Sequence, residues 1–166
     1  VRWSAFPLHP ETPPEGRTLE ALFAGRPVDI PSMLAHLRQT AQRLNLPFGD
    51  RHMTFNSRRA QELGKWAEHE GLGSAFHNAV FRAYFAEGRN IHRLNVLMDI
   101  VRGIDGDPEA GRAALEEGRC RDAVDQDWQR SREMGITAVP TFVRNGRRLV
   151  GAQPYGELAH FLTDSQ

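Results

Sequence analysis

An α/β fold with a large helical middle is predicted by three features of this sequence. A short aromatic segment, VRWSAFPL, opens it. Helical periodicity then runs from about Leu19 onward. The chain closes on a long helix, an Asn-Gly hairpin and a last helix.

Each element has a local cause. In Val1 to Leu8, Trp3 alternates with Arg2 and Ser4, a pattern that predicts a short strand ended by Pro7 and Pro10. The stretch HPETPPEG is rich in proline and must be a loop. Met33, Leu34, Leu37, Ala41 and Leu44 recur at helical spacing over Ile30 to Leu44. Asn56 or Ser57 offers a short side-chain oxygen to first-turn amides and caps a helix running to about Glu70, where Gly71 and Gly73 break it. Ser74 to Ala86 is the next predicted helix, with Phe76, Ala79, Val80 and Ala83 inward. Asn90 is the expected cap of a helix whose stripe is Leu94, Leu97, Met98 and Val101. Asp107-Pro108 starts another, ending at Gly118. A long helix follows from about Arg119 to Met134. Thr141 to Arg144 and Arg147 to Val150 flank Asn145-Gly146, a pair that favours the positive φ angles of a type I′ turn. In the last helix, Tyr155 to Thr163, the residues Leu158, Phe161 and Leu162 should point inward.

Composition bounds the function. The chain has 166 residues, and its 21 basic and 21 acidic side chains cancel. No global charge favours nucleic acid or an anionic membrane, so neither is an expected partner. Arg144, Arg147 and Arg148 are most simply edge-strand charges that block aggregation. No apolar run approaches the ~20 residues of a bilayer span. None of the seven histidines falls in a zinc-like spacing, so no metal site is expected. The lone cysteine, Cys120, forms no internal disulfide and fits a reducing, cytoplasmic setting. Arg119 and Arg121 beside it would lower its pKa if it were exposed, although a structural thiol is the simpler expectation. Trp3, Trp66 and Trp128 are expected in the core or half-buried, and Tyr84 and Phe85 to pack.

The segment Gly135 to Val143, GITAVPTFV, carries the most information. A helix stops at glycine, a turn reaches Val139-Pro140, and a hairpin follows at once. Proline directly before a strand is odd for a ladder, because it lacks an N–H. A cis Val139–Pro140 bond accounts for it. This segment resembles the cis-proline loop of the thioredoxin superfamily. The string AVFRAYFAEGRNIHRLNVL, the opening FPLHPETPPEG and the later GAQP resemble FrnE-like members of the DsbA family, whose relatives include 2-hydroxychromene-2-carboxylate isomerases and kappa-class glutathione transferases.

The resemblance implies an α/β thioredoxin-like fold, with residues 1–16 and 119–166 as the thioredoxin-like part and 17–118 as a helical insertion. It implies a thiol–disulfide oxidoreductase acting on a protein or small-molecule thiol or disulfide, with no bound cofactor. Val139, Pro140 and Thr141 would meet substrate backbone, and Asn56 would lie near a bound thiol ligand. No residue is expected to be catalytic, because Cys-x-x-Cys is absent and these 166 residues should be redox-inactive. The first strand and active-site helix also look absent, as if roughly 30–50 upstream residues were cut away, the size of a strand–helix unit. A rearranged sheet or a domain swap, which makes a homodimer, is the other way to satisfy the exposed edges. Two alternatives stay open: a glutathione-dependent isomerase or transferase, or a non-catalytic binding remnant.

Overall fold

The computed structural model describes residues 2–163. The chain packs as two compact units, one formed by residues 9–124 and the other by 2–8 with 125–163. Among the described residues no helix is long and apolar enough to cross a membrane.

The 9–124 unit is helical, with one small two-stranded sheet. β1 (Arg17–Thr18) leads straight into α1 (Leu19–Leu22), whose first turn is capped by Thr18 Oγ1 accepting from Ala21 N–H. α2 (Ile30–Arg43) is capped by Asp29, with Pro31 in its first turn, where a missing N–H costs nothing. β2 (Met53–Thr54) pairs antiparallel with β1, matching Arg17 to Thr54. The sequence does not show this pair, because two residues hold no period.

α3 (Arg58–His69), α4 (Gly73–Phe81), α5 (Leu94–Gly103) and α6 (Pro108–Glu116) build the core. Leu63, Ala67, Leu97 and Val101 are fully inaccessible, and Trp66, Phe76 and Met98 nearly so. Burying one such large side chain stabilises by about 1.5–3 kcal/mol, which is what sets these helices in place. Asp107 Oδ1 accepts from Glu109 and Ala110 N–H, and Pro108 opens α6 as its sequence predicts. After Phe81 the helix does not simply continue: residues Arg82–Ala86 widen into a π-turn. Asn90 does not cap α5. Arg93 holds that position, and Asn90 instead accepts from His92 N–H while donating to the Pro14 carbonyl. A buried asparagine with two such partners is worth more as a tie between distant segments than as an exposed cap.

α7 (Arg121–Glu133) ends at Gly135, φ +60°, with Ile136 N–H returning to the Ser131 carbonyl at 2.9 Å. In the 2–8 and 125–163 unit, β3 (Thr141–Arg144) and β4 (Arg147–Val150) form the predicted hairpin, with Asn145 at φ +50° and Gly146 at φ +78°. α8 (Tyr155–Thr163) packs on it: Arg144 donates to the Phe161 carbonyl at 3.2 Å, and the Arg147 guanidinium lies 5.8 Å from the Phe161 ring centre. Phe161 is buried, but Leu162 is 56% exposed, against the inward position expected of it.

Two other expectations fail here. The described part of the opening segment, residues 2–7, is not a strand. A strand exists only through its ladder, and the Ala5 N–H goes to the Asp127 carboxylate at 2.9 Å, not to a neighbouring strand. Trp3 is 48% exposed, while Trp66 is buried and Trp128 half-buried. The expected first residue, Val1, lies outside the described residues.

Candidate functional site

The turn from Gly135 to Pro140 joins α7 to β3, and side-chain bonds hold both of its ends. Arg148 Nη1 donates to the Met134 carbonyl at 2.6 Å and to Gly135 at 3.3 Å, placing a cation on the negative end of α7. Thr141 Oγ1 donates to the Ala138 carbonyl at 2.7 Å. Between these anchors Ala138, Val139 and Pro140 are exposed, Val139 by 46%. The Val139–Pro140 peptide bond is cis.

The hairpin register determines what this edge offers. Arg144 and Arg147 flank a two-residue turn and are a hydrogen-bonded pair, as are Phe142 and Leu149. Gly151 N–H to the Pro140 carbonyl at 2.8 Å continues the same alternation. Thr141 and Val143 therefore turn their N–H and C=O groups away from β4. The sheet has two strands among the described residues, so these groups meet no third strand. An exposed bend followed by an open strand edge can accept an extended main chain by adding a strand.

Asn56 lies in the 9–124 unit and has its amide fully engaged. Its Nδ2 donates to the Thr12 carbonyl at 2.7 Å and the Pro10 carbonyl at 3.3 Å, and its Oδ1 accepts from Arg58 N–H at 2.9 Å. Ser57 occupies the cap position of α3, but its Oγ accepts from the Gln61 side chain at 3.1 Å and not from a first-turn amide, so the neighbouring asparagine supplies that bond. Asn56 thus ties the proline-rich loop to the start of α3. Thr12 is buried in that loop, and its hydroxyl has no partner among the described residues.

Cys120 is the structural thiol expected of it, not one exposed beside its flanking arginines. It is 5% exposed, and burial pushes its pKa up despite the opposing charges of Lys65 and Arg119. Glu62, itself buried, adds to the rise. The flanking arginines suggest activation from sequence, but the thiol belongs to the apolar core of the helical unit. Among the described residues no three His, Cys, Asp or Glu side chains stand together as a metal site.

Sequence reasoning missed one cluster. Arg51 donates from Nη2 to Tyr84 Oη at 2.9 Å and lies 4.8 Å from the Tyr84 ring centre and 4.9 Å from that of Phe85. Tyr84 Oη also bonds Thr54 Oγ1 at 3.0 Å. Arg51 lies 33 residues from Tyr84, a separation at which no local pattern signals contact.

The model of the DSBA-like thioredoxin domain matches residues 1–163. The chain belongs to the DSBA-like thioredoxin domain family. This family fixes the fold as thioredoxin-like; the structure is helix-rich with small sheets, consistent with a helical middle, and its units are the α-rich 9–124 and 2–8 with 125–163. Against a probable DsbA oxidoreductase of Streptomyces coelicolor the TM-score is 0.84 at 24% identity, covering 94% of this chain and 70% of that one. Against the cytosolic disulfide reductase DsbM of Pseudomonas aeruginosa, solved with glutathione, the TM-score is 0.60 at 25% identity, covering 89% and 78%. The Bacillus subtilis (strain 168) protein YwbO is 28% identical over 102 residues, 61% of this chain. The match spans about half (51%) of the length of YwbO. Within the family's fold, this DSBA-like chain has one cysteine in its 166 residues and no catalytic cysteine pair.

Proposed function

We propose that this chain provides the substrate-docking part of a DsbA-type thiol–disulfide oxidoreductase. Val139, Pro140 and Thr141 form the docking bend. Its ligand is the extended main chain beside a cysteine, in a polypeptide or in glutathione. The observation that carries this reading is the exposed bend at Val139, anchored at its two ends by the Arg148 and Thr141 side chains. Family membership and the disulfide reductase among the similar structures support the substrate class. Asn56 contributes by holding the proline-rich loop of its own unit in shape.

Exchange needs a thiolate to attack a disulfide sulfur and a second thiol to resolve the mixed disulfide. One buried thiol of raised pKa supplies neither. These 166 residues should therefore bind without turnover. An S-methylated cysteine peptide, titrated by NMR, is expected to move the Val139, Thr141 and Val143 amide resonances together. Shifts that leave those three amides unmoved refute the docking site. Insulin reduction should stay at the background of the added dithiol, and turnover that survives Cys120→Ser would overturn the reading.

A further inference from the structure

The helical unit contains an arginine that the fold positions with care and leaves without an anionic partner. Arg58 and Arg89, half-buried in the same unit, each hold a carboxylate, Glu62 at 2.6 Å and Asp99 at 2.8 Å. Arg51 is also half-buried, yet no carboxylate among the described residues pairs with it. The adjacent Asp50 is drawn off by Arg38 at 2.7 Å. A guanidinium has five N–H donors. The Tyr84 hydroxyl takes one, and none of the others is both buried and unpartnered, so they face solvent.

The setting is built rather than incidental. The Tyr84 and Phe85 rings meet edge to face at 4.8 Å, and the Arg51 guanidinium lies against both. Those rings sit on the π-turn Arg82–Ala86, and an extra residue inserted into a helix in this way recurs at functional positions. Gly49 is pressed so closely on the Ala86 carbonyl that a Cβ there would overlap it, and Gly49 N–H donates to the Phe85 carbonyl at 2.9 Å. The segment bearing Arg51 is therefore clamped to the turn bearing its rings. Phe81, 46% exposed, adds an apolar surface 6.2 Å from Phe85.

We infer that Arg51, Tyr84, Phe85 and Phe81 form a binding site for a small organic acid carrying one carboxylate on an apolar body. The free guanidinium edge takes the carboxylate through two parallel N–H bonds, and the exposed ring takes the apolar part. A single cation suits a monoanion better than a phosphate dianion. This site goes beyond the docking bend and does not depend on it.

Sodium hexanoate is the probe, titrated into the full chain at constant ionic strength while the Arg51 Nε–Hε resonance and the Tyr84 ring resonances are followed by NMR. Hexanoate should produce a saturating shift. 1-Hexanol should not, and acetate and inorganic phosphate should bind more weakly. Arg51→Lys, which keeps the charge but loses the fork, should weaken hexanoate about tenfold as read from Tyr84. Phe81→Ala should weaken it several-fold. A linear shift without saturation, an equal response to 1-hexanol, tighter binding of phosphate, or unchanged affinity in Arg51→Lys overturns the site. If Arg51→Lys loses its fold by circular dichroism, unchanged affinity in Phe81→Ala does so instead.

Discussion

Asn56 separates a structural role from a ligand-binding one in a measurable way. In Asn56→Ala the Thr12 carbonyl loses a 2.7 Å donor and Arg58 N–H loses a 2.9 Å acceptor at the start of α3. The 3.3 Å bond to Pro10 is exposed and adds little. Each of the two stronger bonds is worth about 1 kcal/mol net, and the carbonyl left behind in a buried residue raises the cost, so the total is about 2–3 kcal/mol. With a urea m-value near 2 kcal/mol/M, typical for small domains, the midpoint should fall by about 1 M. Asn56→Asp is the sharper variant. Asp caps a helix as well as Asn does, so pure capping predicts no change. The structure predicts a loss at least as large as that of Ala, because a carboxylate replaces the two donors and faces two carbonyl oxygens. Urea unfolding followed by circular dichroism measures both. An Asp variant as stable as the parent would refute the claim that the amide donors tie down the proline-rich loop.

Three further outcomes follow from packing and burial. Gly49→Ala should cost about 2 kcal/mol or more in thermal or urea unfolding, because its Cβ meets the rigid Ala86 carbonyl rather than a movable side chain; a neutral result would show that the loop carrying Arg51 is free to move. Cys120 should react with a disulfide reagent about a hundredfold more slowly in the folded chain than in urea, since the thiolate is the reactive form. Its raised folded pKa also gives stability that is complete below the unfolded thiol pKa and is lost as pH rises above it, so Cys120→Ser should flatten the stability–pH curve above about pH 8.5.

What the sequence showed and what it hid divide along physical lines. α6, the hairpin and the end of α7 were legible because Asp107-Pro108, Asn145-Gly146 and Gly135 act on their own neighbours. The helix stripes were legible because burial repeats with the helical period, as Leu97, Met98 and Val101 show. The opening segment was not legible, because alternation states a preference that only a partner strand realises. Asn90 was misjudged because its partner, the Pro14 carbonyl, lies far away in sequence, whereas Cys120 proves to be the structural thiol expected of it. The bend at Val139 was visible as a motif. The Arg51 cluster left no local mark, since its parts are spaced by chain folding and not by any period.

The two properties expected of a DsbA-type protein separate cleanly in these residues. The proposed docking would use main-chain groups, which survive any change of side chain so long as the bend and the hairpin keep their geometry. Arg148, Thr141 and the Gly135 turn secure that geometry within one unit, without help from a thiol. Exchange instead depends on a thiolate, and a thiolate depends on its surroundings. The one cysteine is placed where burial outweighs two nearby cations, which is the reverse of what attack on a disulfide requires. Lowering its pKa would mean opening the core that Leu63, Trp66 and Leu97 close. Activating Cys120 would therefore cost that core, so the exchange proposed for the Val139 bend calls for a thiol other than Cys120.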